Sequence, residues 1–158
     1  MASLSEIERK FLVRAFPLRW RNRKSNRVIQ GYFPLQRGEL EIRIRKIGRA
    51  CVITVKAGQG LKRIEEEIEI SAQRFASLWR LTRGARLSKR RYFIPVKRHT
   101  IELDVYGGPH RGLVIAEVEF DSIRDSKSFE PPDWFGREVT GRKKYSNAML
   151  ARRHRWRD

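Results

Sequence analysis

The chain of 158 residues carries 36 Lys+Arg against 18 Asp+Glu, a formal net charge of +18, with 40% hydrophobic and 10% aromatic residues. That is enough for one compact domain with a real core, expected to span 1–158, and it excludes collagen, bulk disorder and a run of the roughly 18 apolar residues that a membrane helix needs. A single cysteine, Cys51, excludes an intrachain disulfide and a thiolate zinc cluster, and the first six residues lack the basic start and apolar stretch of a signal peptide, so a cytoplasmic protein is expected.

Taken in chain order, eight segments read as strands: 6–13, 28–35, 40–47, 51–57, 62–70, 86–96, 99–106 and 112–121. Most alternate charged with apolar residues at period two, which places the charges on one face and the apolar side chains on the other. Glu6, Glu8 and Lys10 alternate with Ile7 and Phe11; Arg43 and Arg45 with Ile42 and Ile44; Arg63, Glu65, Glu67 and Glu69 with Ile64, Ile68 and Ile70. Further on, Glu102 and Asp104 alternate with Ile101, Leu103 and Val105, and Glu117 and Glu119 with Ala116, Val118 and Phe120. Turn-like stretches at 36–38, 47–49, 57–60 and 106–109 separate several of them. Two helices are predicted. The first, 71–83, has Ser71 as N-cap, Phe75 and Trp79 at helical spacing and Gly84 at its end. The second, 146–155, is basic and carries Met149 and Leu150. Pro131-Pro132-Asp133-Trp134 reads as a turn leading into a short helical piece. The fold class expected is mainly β (α+β): a closed antiparallel eight-stranded barrel with a few flanking helices.

Residues two apart on a strand point the same way, about 7 Å from each other. Carboxylate pairs at that spacing suit a hard divalent cation with oxygen ligands, and guanidinium pairs suit phosphate oxygens, which they grip through charged bidentate hydrogen bonds. Charges of both signs inside one barrel would be too costly to bury without a ligand. Such a lumen is wet when empty and filled by a polyanion in use: carboxylates hold a cation, basic groups hold phosphates, and water attacks phosphorus.

These motifs, in order along nearly the whole chain, resemble the triphosphate tunnel metalloenzymes, the CYTH superfamily. Glu6-Ile7-Glu8-Arg9-Lys10-Phe11-Leu12-Val13 is similar to that family's N-terminal Glu-x-Glu-x-Lys signature. Arg43-Ile44-Arg45, Thr54-Val55-Lys56, Arg63-x-Glu65-x-Glu67, Lys89-x-Arg91-Tyr92, Glu102-x-Asp104 and Glu117-x-Glu119 follow, then Glu138-Val139-Thr140 and Lys144-Tyr145-Ser146-Asn147. The resemblance implies an eight-stranded tunnel acting on a triphosphate-bearing substrate with Mg²⁺ or Mn²⁺. It implies metal ligands at Glu6, Glu8, Glu117 and Glu119 with Asp104 as helper, and a second-metal or orienting role for Glu65 and Glu67. Lys10, Arg43, Arg45, Lys56, Arg63, Lys89 and Arg91 would bind the triphosphate, with Glu6, Glu8, Lys10 and Lys89 closest to the chemistry. The extra Arg90 and Glu66 leave open which neighbour in each pair faces inward.

Hydrolysis of inorganic triphosphate is the leading expectation. The alternatives are a class IV-type adenylate cyclase on the same tunnel and a non-catalytic polyphosphate- or RNA-binding module; inward carboxylates argue against the latter. His99, His110 and His154 have no metal-ligand spacing, and Cys51, Phe75 and Trp79 read as packing. The basic stretch from Arg14 to Arg27, interleaved with Phe16 and Trp20, reads first as solvated surface, with substrate steering and nucleic-acid binding behind it. A polar lumen leaves the apolar faces pointing outward, so a homodimer covering part of the wall is expected.

Overall fold

The computed structural model describes residues 7–34, 40–57 and 64–155. Glu6 and Arg63 lie outside the described residues, so their assignments are not addressed by the geometry. Nine strands form one antiparallel sheet: β1 Ile7–Val13, β2 Ser25–Tyr32, β3 Glu41–Ile47, β4 Ala50–Ala57, β5 Ile64–Glu69, β6 Arg86–Val96, β7 His99–Tyr106, β8 Val114–Phe120 and β9 Phe135–Glu138. Their order is β5-β4-β3-β2-β6-β7-β8-β1-β9. All eight expected strands are present. Among the described residues no ladder joins β5 to β9, so the sheet is seen with two ends and nine members rather than as a closed eight-stranded ring.

The ninth strand replaces the helical piece expected after Pro131. Four residues pair with β1, Phe11 opposite Glu138 and Val13 opposite Phe135. A strand this short, with Gly136 inside it, has no alternation to read; its partner strand decides its conformation. The helices are α1 Ala72–Trp79, α2 Ile123–Ser128 and α3 Asn147–Arg152. Ser71 caps α1 by accepting from the Arg74 amide at 3.2 Å, as its position predicts. After α1 a 3-10 turn, Arg80–Thr82, leads to Gly84 at φ 87°, where a side chain would be strained. The short α2 has no apolar stripe to announce it; Ser122 caps it by accepting from the Asp125 amide.

Cross-strand partners share a face, which sorts the sheet into two. On the convex face Ile44, Ile101, Leu103 and Val118 are fully buried. The chain's own segments cover much of this wall: α1 packs Phe75 against Ile44 and Cys51, while Trp20, Phe129 and Phe135 close over Phe11, Ile94 and Val118. Thus Cys51 and Phe75 are core, and the basic 14–27 stretch contributes a buried tryptophan. The C-terminal helix does something else. Leu150 and Ala151 of α3 pack with Tyr145 and Val139 against Leu87, Tyr106 and Ile115, residues in register with the concave face. α3 stoppers one end of the concavity instead of covering the outer wall.

Candidate active site

Curling of the sheet brings side chains from β1 through β8 around one cavity of about 520 Å³, with Ser146, Asn147 and Ala148 at its stoppered end. Among the described residues six cations line it, Lys10, Arg43, Arg45, Lys56, Lys89 and Arg91, together with six carboxylates, Glu8, Glu41, Glu67, Glu102, Glu117 and Glu119. The two open parities are resolved. Lys89 is buried against the cavity while Arg90 is exposed on the convex face, and Glu67 shares Thr54's face whereas Glu66 shares Val55's.

The cations form two banks. On β3 and β4, Arg45 Nη2 lies 3.0 Å from Glu67 Oε1 and Lys56 Nζ 2.9 Å from Glu65 Oε2, with Arg43 Nη2 at 3.9 Å from both carboxylates. Thr54 Oγ1 also donates to Glu67 at 3.0 Å. Across the cavity Arg91 forks onto Asp104 through Nε and Nη2, both at 2.7 Å, and also reaches Glu102 and Glu117. Lys89 pairs with Asp104, and Lys10 bridges Glu8 at 3.2 Å and Glu117 at 3.3 Å.

Burial and charge compete at each group. Burial works against the Lys10 ammonium, yet Glu117 and Glu8 hold it above the ordinary lysine range. Lys89 goes the other way, because its burial outweighs Asp104 and lowers its pKa. Burial pushes Glu102 upward. It would do the same to Glu117, but Lys89, Lys10 and Arg91 together pull that carboxyl down to about 2. Arg45 is depressed by burial and by neighbouring Arg43. The Nε atoms of both these arginines are buried without a hydrogen-bond partner among the described residues. A buried donor left unmet costs roughly 1–3 kcal/mol, so these two point to a missing acceptor.

Carboxylates congregate on the opposite bank. Glu8 faces Glu119 in register, and Glu117 faces both Lys10 on β1 and Glu102 on β7. Among the described residues no three of them converge tightly enough to hold a metal ion. Lys10 joins Glu8 to Glu117, and Arg91 joins Glu102, Asp104 and Glu117, so these carboxylates are engaged by cations. The donor set itself is all oxygen, the kind a hard divalent cation requires.

β9 and the segment after it position this bank. Val139 donates to the Lys10 carbonyl at 2.7 Å, and the Lys10 amide donates to Thr140 Oγ1 at 3.0 Å. Thr140 in turn donates to Glu138, whose carboxylate takes a two-pronged grip from Arg9 at 2.8 and 2.9 Å on the convex side. The Glu138-Val139-Thr140 motif therefore fixes the strand that carries Glu8 and Lys10. Tyr32, Glu41, Glu102 and Asn147 line the cavity without having been singled out as binding residues. Parity would have found Glu102, whereas Tyr32 lies on a strand with no charge alternation to reveal its face. The histidines stay apart from the cavity's cations: His99 is held by Asp125 at 3.1 Å at a neighbouring hollow, and His110 is buried beside Tyr106.

No family model matches the chain. Among characterised proteins, an inorganic triphosphatase of Nitrosomonas europaea is 41% identical over 149 residues, covering 94% of this chain and 97% of the relative. An inorganic triphosphatase of Acetivibrio thermocellus is 33% identical over 149 residues, covering 93% of each. A crystal structure of an inorganic triphosphatase superposes with a TM-score of 0.76 at 38% identity, covering 97% of this chain and 98% of the other.

Proposed function

For a chain that belongs to the triphosphate tunnel metalloenzymes, the CYTH superfamily, we propose that the charged cavity hydrolyses inorganic triphosphate to orthophosphate and pyrophosphate. The observation that carries this reading is the pair of orphaned, buried Nε donors on Arg43 and Arg45, inside a cavity that holds carboxylates as well as cations. A pure anion binder gains nothing from the carboxylates. A site for a polyanion that arrives with a cation gains from both.

In the free protein the two sets neutralise each other. On binding they exchange partners: phosphate oxygens take Arg43, Arg45 and Lys56 from Glu65 and Glu67, and Lys10, Lys89 and Arg91 from Glu117 and Asp104. Arg63, by its place in the motif, joins the first bank. The carboxylates so released, Glu8, Glu117 and Glu119 with Asp104 and, by motif, Glu6, would hold Mg²⁺ or Mn²⁺; Glu65 and Glu67 would hold a second ion or orient the basic side chains. A divalent ion held there would supply charge neutralisation for the phosphate chain. A water oxygen forms its bond to a terminal phosphorus as the bridging P–O bond breaks; the electron pair leaves with pyrophosphate, and the water's protons pass to the two phosphate products or to solvent. Lys10 and Lys89 stabilise the charge that builds on the transferring group.

We read residues 1–158 as one domain whose sheet closes into a tunnel, and place it in the cytoplasm, where the buried Cys51 stays reduced. No described helix is long and apolar enough to cross a membrane. A homodimer would cover what the monomer leaves open, such as Ile68 at the β5 end of the sheet, 53% exposed; sedimentation at micromolar protein checks it.

The deciding assay incubates the protein with inorganic triphosphate, pyrophosphate, ATP or thiamine triphosphate, with Mg²⁺, Mn²⁺ or EDTA. Orthophosphate release from inorganic triphosphate, abolished by EDTA, is expected. Cyclic AMP from ATP, or binding without turnover, would transfer the assignment to a cyclase or to a binding module.

A further inference from the structure

Outside the cavity, one group of cations has no carboxylate partner among the described residues, unlike Arg9, which Glu138 holds. From Arg9 to Gly38 the sequence contains no Asp or Glu. Arg21, Arg23, Arg27 and Arg90 are exposed, and none of them, nor Lys46, pairs with a carboxylate among the described residues. The sheet groups three of them: Arg27 lies directly opposite Arg90, and Ile29, two residues on, opposite Lys46, while Arg21 and Arg23 sit in and just after the 3-10 turn that precedes β2. Like charges directly opposed on one face destabilise a sheet. A shallow hollow of about 260 Å³ lies along this row, lined by Arg27, Ile29, Lys46 and Gly48.

An aromatic platform adjoins the row. Phe16 stacks on Trp20 with centroids 4.4 Å apart and planes within 13°, and Arg21 lies 4.6 Å from the Trp20 centroid. Trp20 is anchored edge-on to Tyr92, two residues from Arg90 on the same face. Phe16 itself is 47% exposed, an aromatic ring held in place with half its surface in water. Phosphate alone has no use for such a ring, whereas an unpaired base stacks on it.

We propose that this convex face is a second polyanion site, separate from the catalytic cavity, that takes single-stranded nucleic acid: the Arg21–Arg27 row and Arg90 track the phosphates and Phe16 stacks a base. The proposal does not depend on the activity of the cavity.

The test is fluorescence anisotropy of a labelled single-stranded oligouridylate with a 5′-hydroxyl, which offers the cavity no triphosphate, over a salt series. The triple variant Arg21→Ser/Arg23→Ser/Arg27→Ser is expected to weaken binding at least tenfold. Its log–log salt slope should be shallower by about 2, as for the loss of three single-strand phosphate contacts. Phe16→Ser is expected to weaken oligouridylate roughly fivefold or more while leaving competition by inorganic polyphosphate unchanged. Circular dichroism melting checks that each variant folds, and hydrolysis of triphosphate should persist in both. Two results overturn the proposal. If Phe16→Ser has no effect and polyphosphate competes as well as nucleic acid, the face reads charge alone. If Arg43→Ala abolishes oligouridylate binding and the triple variant does not, the oligonucleotide enters the cavity.

Discussion

At Glu117 burial and charge pull in opposite directions, and three cations win. Its folded pKa of about 2 lies below the ordinary 4.5, so the carboxylate contributes stability above pH ~4.5 and loses it as pH falls toward 2. That contribution is on the order of 3 kcal/mol. Urea midpoints for wild type and Glu117→Gln should differ most at neutral pH and converge between pH 4.5 and 2; parallel curves across that window would place the stabilisation elsewhere. Glu8 makes a different case, since it is partly exposed and, among the described residues, pairs only with Lys10. Glu8→Gln preserves shape and removes the charge that a divalent ion needs. We expect a loss of metal-dependent turnover of about a hundredfold or more with little change in melting temperature. Turnover within threefold of wild type would remove Glu8 from the metal-binding set.

One contact between elements beside the site leaves no room for a side chain. Gly31 on β2 lies under the turn after α1, where an added Cβ would come within 2.4 Å of Thr82 Oγ1 and 2.6 Å of Thr82 Cβ. Thr82 cannot yield easily, since its hydroxyl donates to the Trp79 carbonyl and accepts from Arg86 Nε. Gly31→Ala therefore forces the turn off the sheet, with a cost of about 1–3 kcal/mol readable as a shifted urea midpoint. Tyr32, next in sequence, lines the cavity and is pushed up to about 12 by burial, so it remains a neutral hydroxyl at working pH. Any displacement of β2 is thus transmitted to the cavity wall.

For the whole molecule, the cavity's ion pairs and the unpaired convex face respond differently to salt. Ligand that binds only the folded state stabilises it by mass action, about 2.7 kcal/mol at a hundredfold excess over Kd. Inorganic triphosphate with Mg²⁺ should raise the melting temperature of wild type, and Arg43→Ala/Arg45→Ala should lose most of that shift while folding normally. An equal shift in the double variant would show that the stabilising anion sits elsewhere on this strongly basic chain. Sodium chloride alone screens the convex row but reaches the buried pairs less.

Much of the candidate site is legible in the residue order, because strand parity is a local rule. Glu8 and Lys10, Arg43 and Arg45, Lys89 and Arg91, Glu117 and Glu119 each share a face by period two alone, and the structure brings all eight to one cavity. Ser71 and Gly84 likewise announce α1 through local hydrogen bonding and backbone freedom. The sequence by itself thus determined eight of the nine strands, which face is charged on most of them, and the family motifs. Other features depend on partners distant along the chain. β9 forms because β1 offers it an edge, and α3 enters the concavity because Leu87, Tyr106 and Ile115 present apolar surface there. Which carboxylate neutralises which cation, and that Arg43 and Arg45 keep an unmet donor, was decided only by tertiary structure, since cross-strand register and sheet curvature are set by packing over the whole molecule rather than by any local pattern.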